Sequence, residues 1–143
     1  LNYNNFKNIL LNSKIQDGLI DIDDTEFDWK NHANFKLSDS LVYIKDGELI
    51  LDANTQINIV NNIEIYKFLQ SPKNLRKKIK KIDLNFNYNF DQKTINVKEV
   101  RIDEKSNQKV NEVLKNISIK SDKLKNKIYF KNLLNKALKN YVG

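Results

Sequence analysis

Between Ile82 and Phe90 every second residue is apolar: Ile82, Leu84, Phe86, Tyr88 and Phe90 alternate with Asp83, Asn85, Asn87 and Asn89. Successive strand side chains point to opposite faces, so a period of two predicts a β-strand with one greasy face and one wet face. Such a strand needs partners that repeat the pattern. Phe35, Leu37, Leu41 and Tyr43 supply it up to Lys45-Asp46-Gly47, where Asp-Gly marks a tight hairpin. Leu49, Leu51, Ala53, Ile57 and Ile59 continue it on the return. This reading puts the apolar sets of both strands on a single face.

Ile95, Val97, Val100 and Ile102 run back from a turn at Asp91-Gln92-Lys93, with a change of parity near Lys98–Glu99. A second parity change separates Ile20 and Ile22 from Phe27 and Trp29, near Asp23–Thr25. Each predicts a bulge or a tight turn. Tyr3, Phe6, Ile9 and Leu10 have helical spacing over residues 3–11. Asn61 or Asn62 can cap a short helix carrying Ile65, Phe68 and Leu69, and Ser71-Pro72 opens another, with serine as N-cap and proline in the first turn. Ser106 is placed as the cap of a helix with Val110, Val113, Leu114 and Ile117. A final helix from Leu124 to Tyr141 lines up Ile128, Phe130, Leu133, Leu134, Ala137, Leu138 and Tyr141, with Gly143 placed as its C-terminal cap. The expected fold class is α+β, a curved antiparallel β-sheet with short helices after the first strand set and an amphipathic C-terminal helix.

Composition narrows the chemistry. The 143 residues include no cysteine and one histidine, His32. A disulfide framework, a zinc ribbon, an iron–sulfur site and a cysteine nucleophile are excluded, and a multi-histidine metal site with them. No run of 18 apolar residues is present. The length fits one domain, and the absence of methionine is expected of a fragment of a longer chain. The net charge of +7 is almost all lysine, and Asn and Ile are abundant beside it. AT-rich codon usage explains that bias, so the net charge is weak evidence for an anionic partner.

Few residues are left to carry chemistry. The acidic run Asp21-Ile22-Asp23-Asp24-Thr25-Glu26-Phe27-Asp28 fails as a calcium loop beginning at Asp21, because Glu26 stands where glycine is needed and His32 where a bidentate glutamate is needed. It reads as a turn. His32 has no cysteine, histidine or carboxylate at ligand spacing and reads as a surface residue. Lys73 to Lys81 is the strongest charge run. As a helix it would put Leu75, Ile79 and Ile82 on one side and its cations on the other, a solvated face. Arg76, Lys77, Lys78, Lys80 and Lys81 are its candidates for lipid head groups. Nucleic acid is disfavoured, because the aromatic strand Phe86–Phe90 lacks the glycines of an RNA-binding sheet. No catalytic constellation, metal site or cofactor site is expected. A large apolar sheet face with few helices to cover it implies either a capped core or an open groove suited to acyl chains.

The order of segments "GLIDIDDTEFDWKNHANFKLSDSLVYIKDGELILDANTQINI", "EIYKFLQSPKNLRKKIKKIDLNFNYNFDQKTINVKEVRID" and "KIYFKNLLNKALKNYVG" resembles the C-terminal region of AsmA-like bacterial envelope proteins, from about Gly18 onward. The resemblance implies a periplasmic part of an inner-membrane-anchored protein, similar to bridge-like phospholipid carriers that use a β groove, and no catalysis. By position, Leu37, Leu41, Tyr43, Leu49, Leu51, Leu84, Phe86, Tyr88 and Phe90 would be groove or core residues. Phospholipid or another acyl-chain lipid would be the ligand, with membrane-surface contact available to the C-terminal helix. Two alternatives stand beside this: a structural or interaction module with a closed core, and nucleic-acid binding through residues 73–81.

Overall fold

The computed structural model describes residues 5–115 and 118–141. Its centre is the meander that the alternation predicts: β5 (Ala33–Lys45), β6 (Glu48–Ile59), β7 (Lys81–Asn89) and β8 (Thr94–Ile102), each antiparallel to the next. On one side β4 (Glu26–Trp29) pairs with residues 33–36 of β5 and is itself flanked by β1 (Phe6–Leu10). β3 (Leu19–Asp21) pairs further along the same edge of β5 and carries β2 (Lys14–Gln16). On the other side β8 is flanked by β9 (Lys105–Ser106) and β10 (Ser118–Lys120). The result is an open, curved antiparallel sheet of ten strands with helices on one face, an α+β fold.

Two-residue turns join several strands. Asp46-Gly47, Asp17-Gly18 and Asp103-Glu104 have positive φ at both central positions (53° and 81°, 52° and 77°, 49° and 67°), the mirror-type turns whose twist matches that of the strands they join. Gly47 adopts that conformation without steric cost. In Asp103-Glu104 both positions carry side chains, so nothing in residue type announces the hairpin.

The helices are α1 (Asn62–Leu69), α2 (Gln108–Lys115), α3 (Ser121–Lys125) and α4 (Lys127–Asn140). Asn61 caps α1 as expected, accepting from Glu64 N–H at 3.2 Å. The cap of α2 is Asn107, which accepts from Val110 N–H at 3.1 Å, while the expected cap, Ser106, belongs to β9. The C-terminal helix is not continuous. Asn126 takes up the N–H groups of Ile128 and Tyr129 and starts α4 afresh after α3, so side-chain competition for backbone donors splits the amphipathic stretch. Ile128, expected on the apolar stripe, is 72% exposed in the first turn of α4.

Other expectations are corrected too. Residues 6–10 form an edge strand rather than a helix, because pairing Phe6 with Trp29 satisfies their backbone and a two-turn helix alone would not hold. The helix expected after Ser71-Pro72 is a single 3₁₀ turn, Lys73–Leu75, followed by extended chain. Tyr3, Ile117 and Gly143 lie outside the described residues.

Val110, Ala137 and Tyr141 from the helices pack with Ile79, Val100 and Ile102 to make the buried core, with Ile59, Ile82, Leu84 and Val97 against them. Helical cover is therefore concentrated at one end of β6, β7 and β8. α1 extends it sideways through Phe68, which meets Trp29 edge-on with ring centroids 4.9 Å apart.

Candidate functional site: an uncovered apolar end of the sheet

Residues directly opposite in an antiparallel pair share a face. Following the register across the sheet from Ile15 gives Ile20, Val42, Leu51, Tyr88 and Ile95, each paired with the next. This apolar row crosses six strands, a span of about 24 Å at roughly 4.8 Å per strand. Ile20, Val42, Leu51, Tyr88 and Ile95 are half-buried, and among the described residues none belongs to the buried core under the helices. Toward the hairpin tips the same face continues with Ile44 (72% exposed), Leu49 (37%) and Phe90 (40%). Tyr88 and Phe90 meet edge-on at 4.8 Å between centroids.

The sequence-predicted groove residues divide into three groups. Leu37 is buried, and Leu84 packs against the core under the helices. Leu49, Leu51, Phe86, Tyr88 and Phe90 lie on the same face nearer the tips, half-buried or exposed. Leu41 and Tyr43 are on the other face. Leu41 pairs with Asp52 and Tyr43 with Ile50, because β5 has one more residue than β6 between Ser38 and Leu41. Asp39, at φ 45°, sits in this bulge. Val42 and Ile44 take the places expected of Leu41 and Tyr43. The signal for this was the unbroken run Leu41-Val42-Tyr43-Ile44, apolar at both parities.

The bulge is built by the acidic run. Asp23 Oδ1 accepts from Ser40 N–H at 2.6 Å, and Asp21 Oδ1 accepts from Asp23 N–H at 2.8 Å. Ser40, fully buried, accepts from Asn54 N–H at 3.2 Å through its hydroxyl. The parity change near Asp23–Thr25 is this turn. The other expected slip is also present, with Lys98 as the extra residue of β8 between the Asn85–Glu99 and Phe86–Val97 pairs.

Apart from Leu41, Tyr43 and Ile50 near the hairpin tip, the opposite face is mostly polar, and many of its side chains pair with one another. Asn34 donates to Asp28 at 3.0 Å, Asn96 to Asn87 at 3.1 Å, and Lys98 reaches Asp52 at 2.6 Å. A shallow cavity of about 250 Å³ lies there, lined by Asn54, Asp83, Asn85, Glu99 and Arg101 among others. Arg101 bonds Glu99 at 3.0 Å and holds its carboxyl below the usual range, so Glu99 is ionised and a poor proton donor. Among the described residues no cluster of His, Asp and Glu could hold a metal ion. His32 is only partly exposed, contrary to a surface reading; it packs edge-on against Trp29 at 5.1 Å, and its buried Nδ1 has no hydrogen-bond partner among the described residues.

The basic run is exposed at Arg76, Lys77, Lys78 and Lys80, whereas Lys81 is half-buried and bonds Asp83 at 3.2 Å. It is extended rather than helical because tertiary partners claim its backbone. Tyr66 donates its hydroxyl proton to Lys77 O, Asn62 brackets Ile79 by donating to its carbonyl and accepting from its N–H (2.8 and 3.1 Å), and Asp103 accepts from Lys80 and Lys81 N–H. Ala137 of α4 and Tyr141, which caps that helix, join the buried core cluster with Val100 and Ile102. Among the described residues no helix is long and apolar enough to cross a membrane. Comparison with family models, with curated proteins and with solved structures finds no match to this chain.

Proposed function

We propose that the chain is a non-enzymatic lipid-handling module whose uncovered sheet face shields acyl chains, as a periplasmic segment of an AsmA-like envelope protein. The observation that carries this is the row Ile15–Ile20–Val42–Leu51–Tyr88–Ile95, apolar, outside the helix-covered core and about 24 Å across. One leaflet of bilayer hydrocarbon is about 15 Å thick, so the row is long enough for an acyl chain laid across the strands. Apolar contact is non-directional and needs no catalytic group, which suits a face made of Ile, Val, Leu and Tyr. The resemblance in segment order supports the same reading.

Native mass spectrometry with organic extraction, on protein purified from a bacterial host without detergent, tests it. Phospholipid at a defined stoichiometry is expected, and Tyr88→Glu should remove it while the fold persists. A lipid-free, stably folded monomer would sink the proposal and leave a structural or interaction module in its place.

A further inference from the structure

Net charge hides a strong division along the chain. Residues 1–70 carry 6 basic and 11 acidic side chains, while residues 71–143 carry 19 basic and 7 acidic. A codon bias toward lysine would raise both halves alike. The densest part of the basic half is the segment from Lys73 to Lys81, with six cations and no carboxylate. Of these, Lys81 is taken by Asp83, and Arg76 donates its Nε proton to Ser71 O at 3.0 Å. Lys77, Lys78 and Lys80 are exposed and, among the described residues, make no ion pair.

These three cations stand on a fixed backbone. Ile79 between them is 5% exposed and belongs to the core, so Lys78 and Lys80 flank an anchored residue and turn to solvent. The bonds from Tyr66, Asn62 and Asp103 hold the segment, and Ile59 N–H donates to Lys80 O at 2.7 Å. Two of those partners carry exposed apolar neighbours. Val60, next to Ile59, is 68% exposed, and Ile63, next to Asn62, is 66% exposed. Unpaired cations beside protruding aliphatic side chains match a bilayer interface, where head groups meet hydrocarbon. They do not match single-stranded nucleic acid, which takes cations with stacking aromatics, and a duplex would use the cations alone and leave Val60 and Ile63 without a role. The sheet aromatic Tyr88 stands seven residues from Lys81 along β7, about 23 Å away.

From this juxtaposition we infer that Lys77, Lys78 and Lys80, with Val60 and Ile63, dock the protein on an anionic phospholipid membrane surface. The inference is carried by charge and by the helix-covered end of the sheet, and it stands whether or not acyl chains occupy the uncovered end. If both hold, the molecule sits on a bilayer by one end and presents its apolar row at the other.

Co-sedimentation of the 143-residue chain with vesicles tests it. Vesicles of phosphatidylcholine containing roughly one-third phosphatidylglycerol are compared with phosphatidylcholine alone. Binding to the anionic vesicles is expected, weakening steeply with salt. Replacing Lys77, Lys78 and Lys80 together by Gln should weaken it on the order of a hundredfold, because each cation near the surface contributes about fivefold. Ile63→Ser should cost a few-fold more, and Lys93→Gln, which removes an exposed cation at the opposite hairpin, should leave it nearly unchanged, which separates docking by this patch from an effect of net charge. Equal binding to neutral vesicles, binding unaffected by the triple substitution, or preference for an RNA or DNA duplex with indifference to Ile63→Ser would each overturn the inference.

Discussion

The side chain of Asn111 in α2 pairs with the backbone of Val100 in β8 as a neighbouring strand would, accepting from its N–H at 2.7 Å and donating to its C=O at 3.0 Å. The contact fills a break in the edge of β8, where β10 pairs with residues 94–96 and β9 with residues 101 and 102. Asn111 is 5% exposed and Val100 is 4% exposed, so water cannot replace either bond.

Asn111→Leu keeps a similar volume but leaves both backbone groups of Val100 buried and unpaired. A loss of about 2–4 kcal/mol is expected, read from the urea midpoint at unchanged slope. A loss under about 0.5 kcal/mol would mean that the edge is wet in solution.

The division of the apolar face predicts opposite outcomes for one chemical change. Ile102→Glu buries a charge in the helix-covered core and should cost more than about 3 kcal/mol, enough to unfold a marginal domain. Tyr88→Glu, in the uncovered row, should cost less than about 1 kcal/mol by the same thermal or urea measurement. Equal costs would show that the row is covered in solution.

Ser40 ties the β5 bulge to β6 and to the Asp23 turn, its hydroxyl accepting from Asn54 N–H and its N–H donating to the Asp23 carboxylate. Ser40→Ala removes the acceptor of Asn54 N–H and the donor to Ser38 O, and should destabilise by about 1–2 kcal/mol. Amide hydrogen exchange should accelerate most at Asn54 if the loss is local, and a uniform rise would contradict the assignment.

Burial raises the pKa of Tyr66 above its ordinary value of 10.0. The folded state therefore favours the neutral phenol. Its contribution is complete below pH 10 and is lost as pH rises through the elevated folded value. Wild-type stability should be flat between about pH 7 and 9 and decline above about 10. Tyr66→Phe should lower the plateau by about 1 kcal/mol, through the lost bond to Lys77 O, and flatten the alkaline decline. Urea titrations across that range decide it; Tyr141, also raised by burial, sets the decline that remains.

Asp28 behaves in the opposite sense. Hydrogen bonds from Asn34 and Asn8 lower its pKa from 3.8, so its contribution is present above that value and is lost as pH falls through the depressed folded one. Acidification should loosen the β1–β4 edge before the central strands, seen as early exchange at Lys7 and Asp28. Asn34→Ala should bring that loosening to higher pH.

Much of the fold was legible because its signals are local. The alternation from Ile82 to Phe90 could be satisfied only as a half-buried strand, Asp46-Gly47 has the residues a mirror-type turn requires, and Asn61 can cap the N–H groups just after it. The slip at Lys98–Glu99 showed as a change of parity within one strand. The Asp17-Gly18 hairpin carries the same local signal as Asp46-Gly47. Context decided the rest: Leu41 and Tyr43 keep the parity of Leu37 along the chain, but the β5 bulge, held by the carboxylate of Asp23, turns them to the other face.

Residue order by itself determined that this chain makes a one-sided antiparallel sheet with short helices, since backbone period, turn chemistry and capping act within a few residues. Which part of the apolar face is covered was decided only in three dimensions. Asn62, Tyr66 and Asp103 outcompete helix formation in the basic run by claiming its backbone, and Val110, Ala137 and Tyr141 choose one end of the sheet to bury. The contacts on the basic run join residues 11 to 23 positions apart, and their free energy exists only once α1 and the Asp103 turn are held against that run by the rest of the fold.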